Sequence, residues 1–335
     1  MSGASATASR GGLSANPQFA APPVGAELDP SEIMAAREVL RASARAEWAA
    51  LRAHAIEASV RDPELLAEFA PKGLADTNRG VRFVACMAIA EARATALAEL
   101  VEPLLLDESA SVRAGALLAL SRCGRKPDLS PLSQFVVSDD PEVRGNAYLV
   151  LGELGDASAA PMIRESVSVG MRLVNPIRVR LVGLTAAEAL VKLGDHAEIE
   201  PIRAALFAPP EQAELTLTAC DAIGRVKDTV SKPMLERIAG VGGKAARSPE
   251  VRLAAARALV RLGESRELAL SVAAEYANHP DPRLRAAVAA LYGDAGRGAG
   301  TMVLQSLLRD ADPTVQVAAA GALGEQGDAQ ELTGP

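Results

Sequence analysis

The sequence predicts an all-α chain wound into a right-handed solenoid of about nine helix pairs, and three observations carry that prediction. Apolar residues fill 49% of the 335 positions, yet aromatics supply only 3% and about one residue in five is alanine. A core that thin suits closely packed helices and lacks the Val, Ile, Tyr and Phe that β-sandwiches and barrels need. Second, one unit recurs: DPEVRGNAYLVLGELGD from Asp140, SPEVRLAAARALVRLGE from Ser248 and DPRLRAAVAALYGDAG from Asp281. Third, the recurrence runs through most of the chain, and such a short unit cannot bury its apolar face without stacking on its neighbours.

Along the chain, residues 1–28 are rich in Ser, Ala, Gly and Pro and hold little to bury, so they are expected to form a disordered tail ahead of a solenoid spanning 29–335. Each unit opens with a capping residue and a proline and closes near a glycine suited to a left-handed C-cap. The apolar residues that open these helices are Trp48, Val81, Val112, Val143, Val182, Leu215, Val251, Leu284 and Val315, at intervals of 33, 31, 31, 39, 33, 36, 33 and 31. Four positions on stands a row of alanines, with Val288 in one repeat and Arg52 breaking it in the first; eight on stand Ile, Leu or Tyr. Offsets of 4, 7, 8 and 11 share one side of an α-helix, the expected buried face. Between these helices lie second apolar stretches such as ATALAELVEPLLL, HAEIEPIRAALF and TMVLQSLLRD, which complete the pairs. The closing GDAQELTGP copies the earlier GESRELAL and then stops, so the last helix is expected to be poorly covered.

With Asp-Pro, Val-Arg, spaced alanines and Leu-Gly-Asp in register, the pattern from about 30 to 328 resembles HEAT-like repeats, especially the short type named after phycobilisome lyases. That resemblance implies a solenoid of HEAT-like helix pairs; function lives in sites and does not follow from the scaffold. Among relatives of this kind, deoxyhypusine hydroxylases bind iron through repeated His-Glu pairs. None of His54, His196 or His279 is followed by Glu, so that activity does not carry over. Bilin lyases have similar repeats, but no motif here transfers a site residue.

Composition narrows the function. A net charge of −7 disfavours general nucleic-acid binding, which relies on basic charge. Cys86, Cys123 and Cys220 are far apart and read as small hydrophobes, with neither a metal set nor a disulfide framework in their spacing. No apolar run spans a membrane and no export signal opens the chain, so a soluble cytoplasmic protein is expected. The glycine-rich segment around Lys244 lacks the spacing of a phosphate loop. Two inter-helix loops are longer than their siblings, and one carries Arg172, Arg178 and Arg180, a cluster open to an acidic partner or to solvent.

Two residue sets stand out. Arg82, Arg113, Arg144, Arg252 and Arg285 follow the anchors directly and stack as a column. They read either as a structural ladder, paired with cap-region Asp140, Asp281 or Asp312 or with carbonyls of the neighbouring unit, or as a basic stripe. At offsets 2, 5, 6 and 9 stand Phe83, Met87, Leu117, Leu118, Tyr148, Leu149, Leu184, Val191, Leu217, Leu253 and Val260. They form either an apolar groove on the concave face or surface buried by tight curvature. The function expected is a non-enzymatic scaffold holding a peptide or protein partner along that face, without metal or cofactor. The alternative is a lyase-like, chaperone-like or oxygenase-like enzyme-associated repeat protein.

Overall fold

Capping side chains set where helices begin. Asp29, Asp62, Asp140 and Asp281 each accept from the amide two residues on and are followed by proline at the first helical position. The computed structural model describes residues 29–172, 174–240 and 247–327; the N-terminal segment, the Lys244 segment and the closing residues lie outside these. Eighteen α-helices and no strand occur among the described residues. They are α1 Pro30–Ser43, α2 Ala49–Ala58, α3 Pro63–Leu74, α4 Arg79–Ala92, α5 Ala98–Val101, α6 Ala110–Arg122, α7 Leu132–Phe135, α8 Pro141–Leu154, α9 Ala160–Ser168, α10 Pro176–Lys192, α11 Ile199–Ala205, α12 Ala213–Val226, α13 Lys232–Gly240, α14 Pro249–Leu262, α15 Arg266–Tyr276, α16 Pro282–Asp294, α17 Thr301–Leu307 and α18 Pro313–Gly327.

The helices form nine pairs. Each odd-numbered helix packs on the even-numbered one that follows it, and the even-numbered helices pack on one another in series from α2 to α18. The repeat frame read from sequence is the packing frame: Val81, Ala85 and Ile89 of α4 are buried, as are Leu215, Ala219 and Ile223 of α12 and Val251, Ala255 and Leu259 of α14. Twelve residues past the anchors, Gly124, Gly155, Gly194, Gly263 and Gly296 adopt positive φ, and where glycine is missing Arg93 and Lys227 take the same left-handed turn.

The first repeat corrects the frame by three residues. Trp48 is 59% exposed and precedes α2, whereas Leu51 and Ala55 are buried. Arg52 therefore belongs to the arginine column, one position after the anchor Leu51, and does not break the alanine row.

A larger correction concerns the ends. The last helix is covered: α18 packs against both α1 and α2, and Gln305 of α17 donates to Glu32 of α1. A Cβ added to Gly321 of α18 would stand 3.0 Å from the Cβ of Ala58, tighter than an ordinary contact, so α18 and α2 approach closely there. The series of even helices thus returns to its start, and the solenoid is a closed ring with the even helices inside. Nine steps to closure mean a turn of about 40° per pair. The seam holds a cavity of about 510 Å3 bordered by α1, the start of α3 and α18.

The arginine column is a ladder of ion pairs and carbonyl contacts. Arg52 meets Asp76 (2.7 and 2.8 Å), Arg82 meets Asp107 (2.8 and 3.0 Å) and Arg285 meets Asp310 (2.7 and 2.8 Å), all bidentate. Arg252 pairs with Glu275 (2.7 Å) and donates to the Tyr276 hydroxyl (2.6 Å). Arg113 donates to the carbonyls of Asp107 and Glu108, and Arg144 to those of Ser138 and Val169. The expected aspartates are not the partners. Asp140, Asp281 and Asp312 are committed to capping α8, α16 and α18, with oxygens on the amides of Glu142, Arg283 and Thr314. The partner carboxylates instead stand two residues ahead of a cap, where Asp76, Asp107 and Asp310 also hold the amides of Asn78, Ser109 and Asp312.

Two outcomes are expected. In Gly321→Leu the added side chain wedges α18 from α2 at a cost of about 1–3 kcal/mol. Hydrogen exchange should then accelerate in α1 and α18 while α6 to α12 stay protected; a uniform loss of protection would show that the seam is not a separate interface. Arg52 holds the Asp76 carboxyl below the usual carboxylate range, and Arg285 does the same for Asp310. With the folded value below the unfolded one of about 3.9, these pairs stabilise the ring above that pH, and the contribution disappears as pH falls through the folded value. Urea denaturation between neutral and acid pH should show a flatter acid limb in the Arg52→Gln, Arg285→Gln double variant.

Candidate functional site

The inward face of the ring is defined by a hollow of about 320 Å3 that includes His54 and Glu57 of α2, Arg257 of α14, Ala290 of α16, and Gly321 and Glu325 of α18, with no outer helix contributing. These positions fall at offsets 3, 6 and 10 from their anchors; the same offsets are partly accessible on α4, α8 and α12, whereas Gly115 and Leu118 of α6 and Glu188 of α10 are buried. The stripe expected at offsets 2, 5, 6 and 9 shares only offset 6 with it. Leu117, Leu118, Tyr148, Leu184 and Val191 are only 1–9% exposed and belong to the core. Phe83, Met87 and Leu149 are half-buried and packed on that core. In a closed ring each inner helix touches two inner neighbours and its outer partners, which leaves only a narrow face uncovered. Tyr148 shows the result: its hydroxyl lies 2.8 Å from Ser166 Oγ and donates toward the Val136 carbonyl (3.3 Å). An open apolar concave groove at these five residues is therefore corrected to core.

The inward face carries charge instead. Offset 10 is charged in all nine repeats: Arg61, Glu91, Arg122, Glu153, Lys192, Arg225, Arg261, Asp294 and Glu325. Many of these side chains bridge adjacent helices. Lys192 meets Glu153 (2.8 Å) and Glu188 (2.9 Å), Arg225 holds Glu188 with two bonds of 2.7 Å, and Asp294 takes Arg261 (2.8 Å) and Arg257 (2.5 Å). Burial pushes Glu188 up, but Arg225 and Lys192 outweigh it and hold the carboxyl below its usual range. Enclosure by neighbouring helices, and then Asp294, push Glu325 up. The period that revealed the alanine row could have revealed this belt.

A cavity of about 570 Å3 lies on the outer side between α9 and α11. Gly183, Leu184, Ala187 and Leu190 of α10 form its floor; Arg164 and Val167 form one bank, and Glu198, Pro201 and Ala204 the other. Arg180 also borders it, and the long loop with Arg172 adjoins it. Of that cluster, Arg180 donates to Gln212 (2.5 Å) and the Arg172 amide to Asp139 (3.3 Å).

The ring does not bring the histidines together. His54 faces the interior, His196 is exposed ahead of α11, and His279 Nδ1 accepts from the Asp281 amide (3.1 Å). Cys86, Cys123 and Cys220 are buried and unpaired, and burial pushes the Cys220 thiol up to about 12. Among the described residues no group of three or more His, Cys, Asp or Glu could hold a metal ion, and no helix is long and apolar enough to cross a membrane.

Residues 270–333 match the family model described as HEAT repeats. No curated protein matches. Among solved structures, human deoxyhypusine hydroxylase in complex with glycerol is similar at 17% identity, covering 89% of this chain and 99% of its own, with a TM-score of 0.36. YibA of E. coli is similar at 16% identity, covering 79% and 93%, with a TM-score of 0.33. A Kap121p mutant is similar at 12% identity, covering 87% of this chain and 37% of its own, with a TM-score of 0.34.

Because Tyr148 is core, Tyr148→Phe should cost about 1 kcal/mol, and Tyr148→Glu should lose cooperative thermal unfolding by circular dichroism. A Tyr148→Glu variant as stable as the parent would contradict the packing described.

Proposed function

We propose that this protein is a non-enzymatic interaction scaffold that holds a peptide or protein segment on the outer sector around α9 to α11. One observation carries the reading. Twelve large apolar side chains are exposed among the described residues; four of them, Val167, Val169, Val179 and Phe207, come from the stretch between α9 and the turn just past α11, and Val167 lines the cavity of about 570 Å3. Apolar surface gathered on one sector marks an interaction site more often than scattered residues do. The inward face supports the same reading indirectly, since most of the apolar residues expected there are buried between helices and its belt at offset 10 is charged. The repeat motifs fit the short phycobilisome-lyase type, from which no bilin chemistry carries over, and the composition fits a soluble cytoplasmic protein.

Selection of a displayed random peptide library on the full chain tests the proposal. Enriched peptides should lose binding to Phe207→Glu and Val167→Glu, which fold as the parent does because both side chains face solvent and shift stability by only about 0.5 kcal/mol. Failure to enrich any sequence, or stoichiometric iron in the purified chain, would overturn it.

A further inference from the structure

We propose that the cleft between α9 and α11 is a docking groove for an acidic, apolar segment of a partner protein, and that it exists because one rung of the arginine ladder is missing. The inference rests on the scaffold reading above and specifies its site and ligand class.

Eight of the nine positions that follow an anchor carry a side chain that reaches behind its helix. Six are arginines, from Arg52 to Arg285. In the other two repeats Thr216 donates to the Ala205 carbonyl (3.2 Å) and Gln316 to that of Asp310 (2.6 Å). The ninth is Gly183, in α10. A guanidinium at this position elsewhere runs toward the end of the next outer helix, as Arg82 does toward Asp107 and Arg285 toward Asp310. Above Gly183 that space is open, and it is the cavity of about 570 Å3 whose far bank is Pro201 and Ala204 of α11. Nothing in the packing asks for glycine: a Cβ built there meets no heavy atom within 4 Å. Glycine inside the 17-residue α10 weakens that helix relative to alanine, so the bare floor is a cost that the fold itself does not require.

The charge around the cleft selects the occupant. From Arg164 to Arg180 there are four arginines against Glu165, and the cleft wall itself carries Arg164 and Arg180 against Glu198 on the far bank. Arg164 is paired with Asp195 (2.5 Å). Arg172, Arg178 and Arg180 are exposed and form no ion pair among the described residues, and Arg180 is held by the neutral amide of Gln212 (2.5 Å). Beneath the long loop, buried Arg144 also lacks a carboxylate, because the rung position opposite it is the Val169 carbonyl (2.7 Å). A segment that seats apolar side chains over Gly183 and presents carboxylates to Arg178 and Arg180 satisfies both surfaces. A basic segment would face repulsion there.

The test uses the full chain and peptides enriched from a random displayed library. They should combine acidic with apolar residues, and their affinity should fall as sodium chloride is raised. Gly183→Arg restores the missing rung and fills the cleft, so it should weaken binding about tenfold or more while thermal stability holds or rises; Gly183→Ala, which adds only a methyl group, should bind as the parent. Arg180→Glu should weaken binding several-fold and favour basic peptides. Should Gly183→Arg fold poorly, Arg180→Glu, which changes an exposed side chain, still decides. Peptides that bind Gly183→Arg unchanged, or that are basic, overturn the groove while the scaffold reading stands. A library that enriches nothing overturns both.

Discussion

Small residues at the contacts between helices hold the whole ring together. A Cβ added to Gly152, Gly224 or Gly293 would stand 3.0, 3.4 and 3.1 Å from the Cα of Ala189, Ala258 and Ala322 on the next inner helix, and one added to Gly73 of α3 would stand 3.1 Å from Ala85 Cβ, in the row of alanines whose members Ala85, Ala116, Ala147, Ala219 and Ala255 are all fully buried. Bulk on the outer helices and narrowness on the inner ones produce curvature in every pair. Accumulated over nine pairs, that curvature brings α18 onto α1 and α2, and a ring results where a gentler bend would leave an open superhelix.

Closure then decides which surfaces remain. In an open solenoid, residues such as Leu118 and Tyr148 would be candidates for a concave groove; in the ring they are covered by the helices on either side. The face left toward the interior is a narrow stripe ending in the charged belt from Arg61 to Glu325. Its ion pairs cross from helix to helix, and the positive members at helix C-termini are favoured by the helix dipole. Exposed apolar surface moves to the outer side, where α9 and α11 stand apart over the bare turn of α10 at Gly183.

The arginine ladder works against that separation in other repeats. Arg52, Arg82 and Arg285 tie their inner helices to Asp76, Asp107 and Asp310, and these carboxylates are themselves fixed by amides two residues on. Such doubly held pairs are partly buried, with side chains of Arg82 and Asp107 each 10% exposed, and so resist salt more than surface pairs do. At Gly183 the tie is absent, and a cleft follows from that local omission without any change in the repeat.

What the sequence determined by itself is everything that depends on period. The nine pairs, the buried face of each inner helix, the left-handed turns at glycine and the arginine column were legible because neighbouring repeats see the same environment, so the pattern is written many times over. The charged belt was legible in eight repeats, since offset 10 is charged from Glu91 to Glu325, and the corrected anchor Leu51 adds Arg61. Tertiary structure alone decided what depends on the sum of the repeats or on breaks in the pattern. A few degrees per pair separate a ring from a spring, and no single repeat encodes that total. The three-residue slip at Leu51 was hidden because Trp48 is apolar and sits one helical turn away. The partners of the ladder, Asp76, Asp107 and Asp310 in place of the capping aspartates, were hidden because both sets lie in the same turns, and only the reach of the guanidinium distinguishes them.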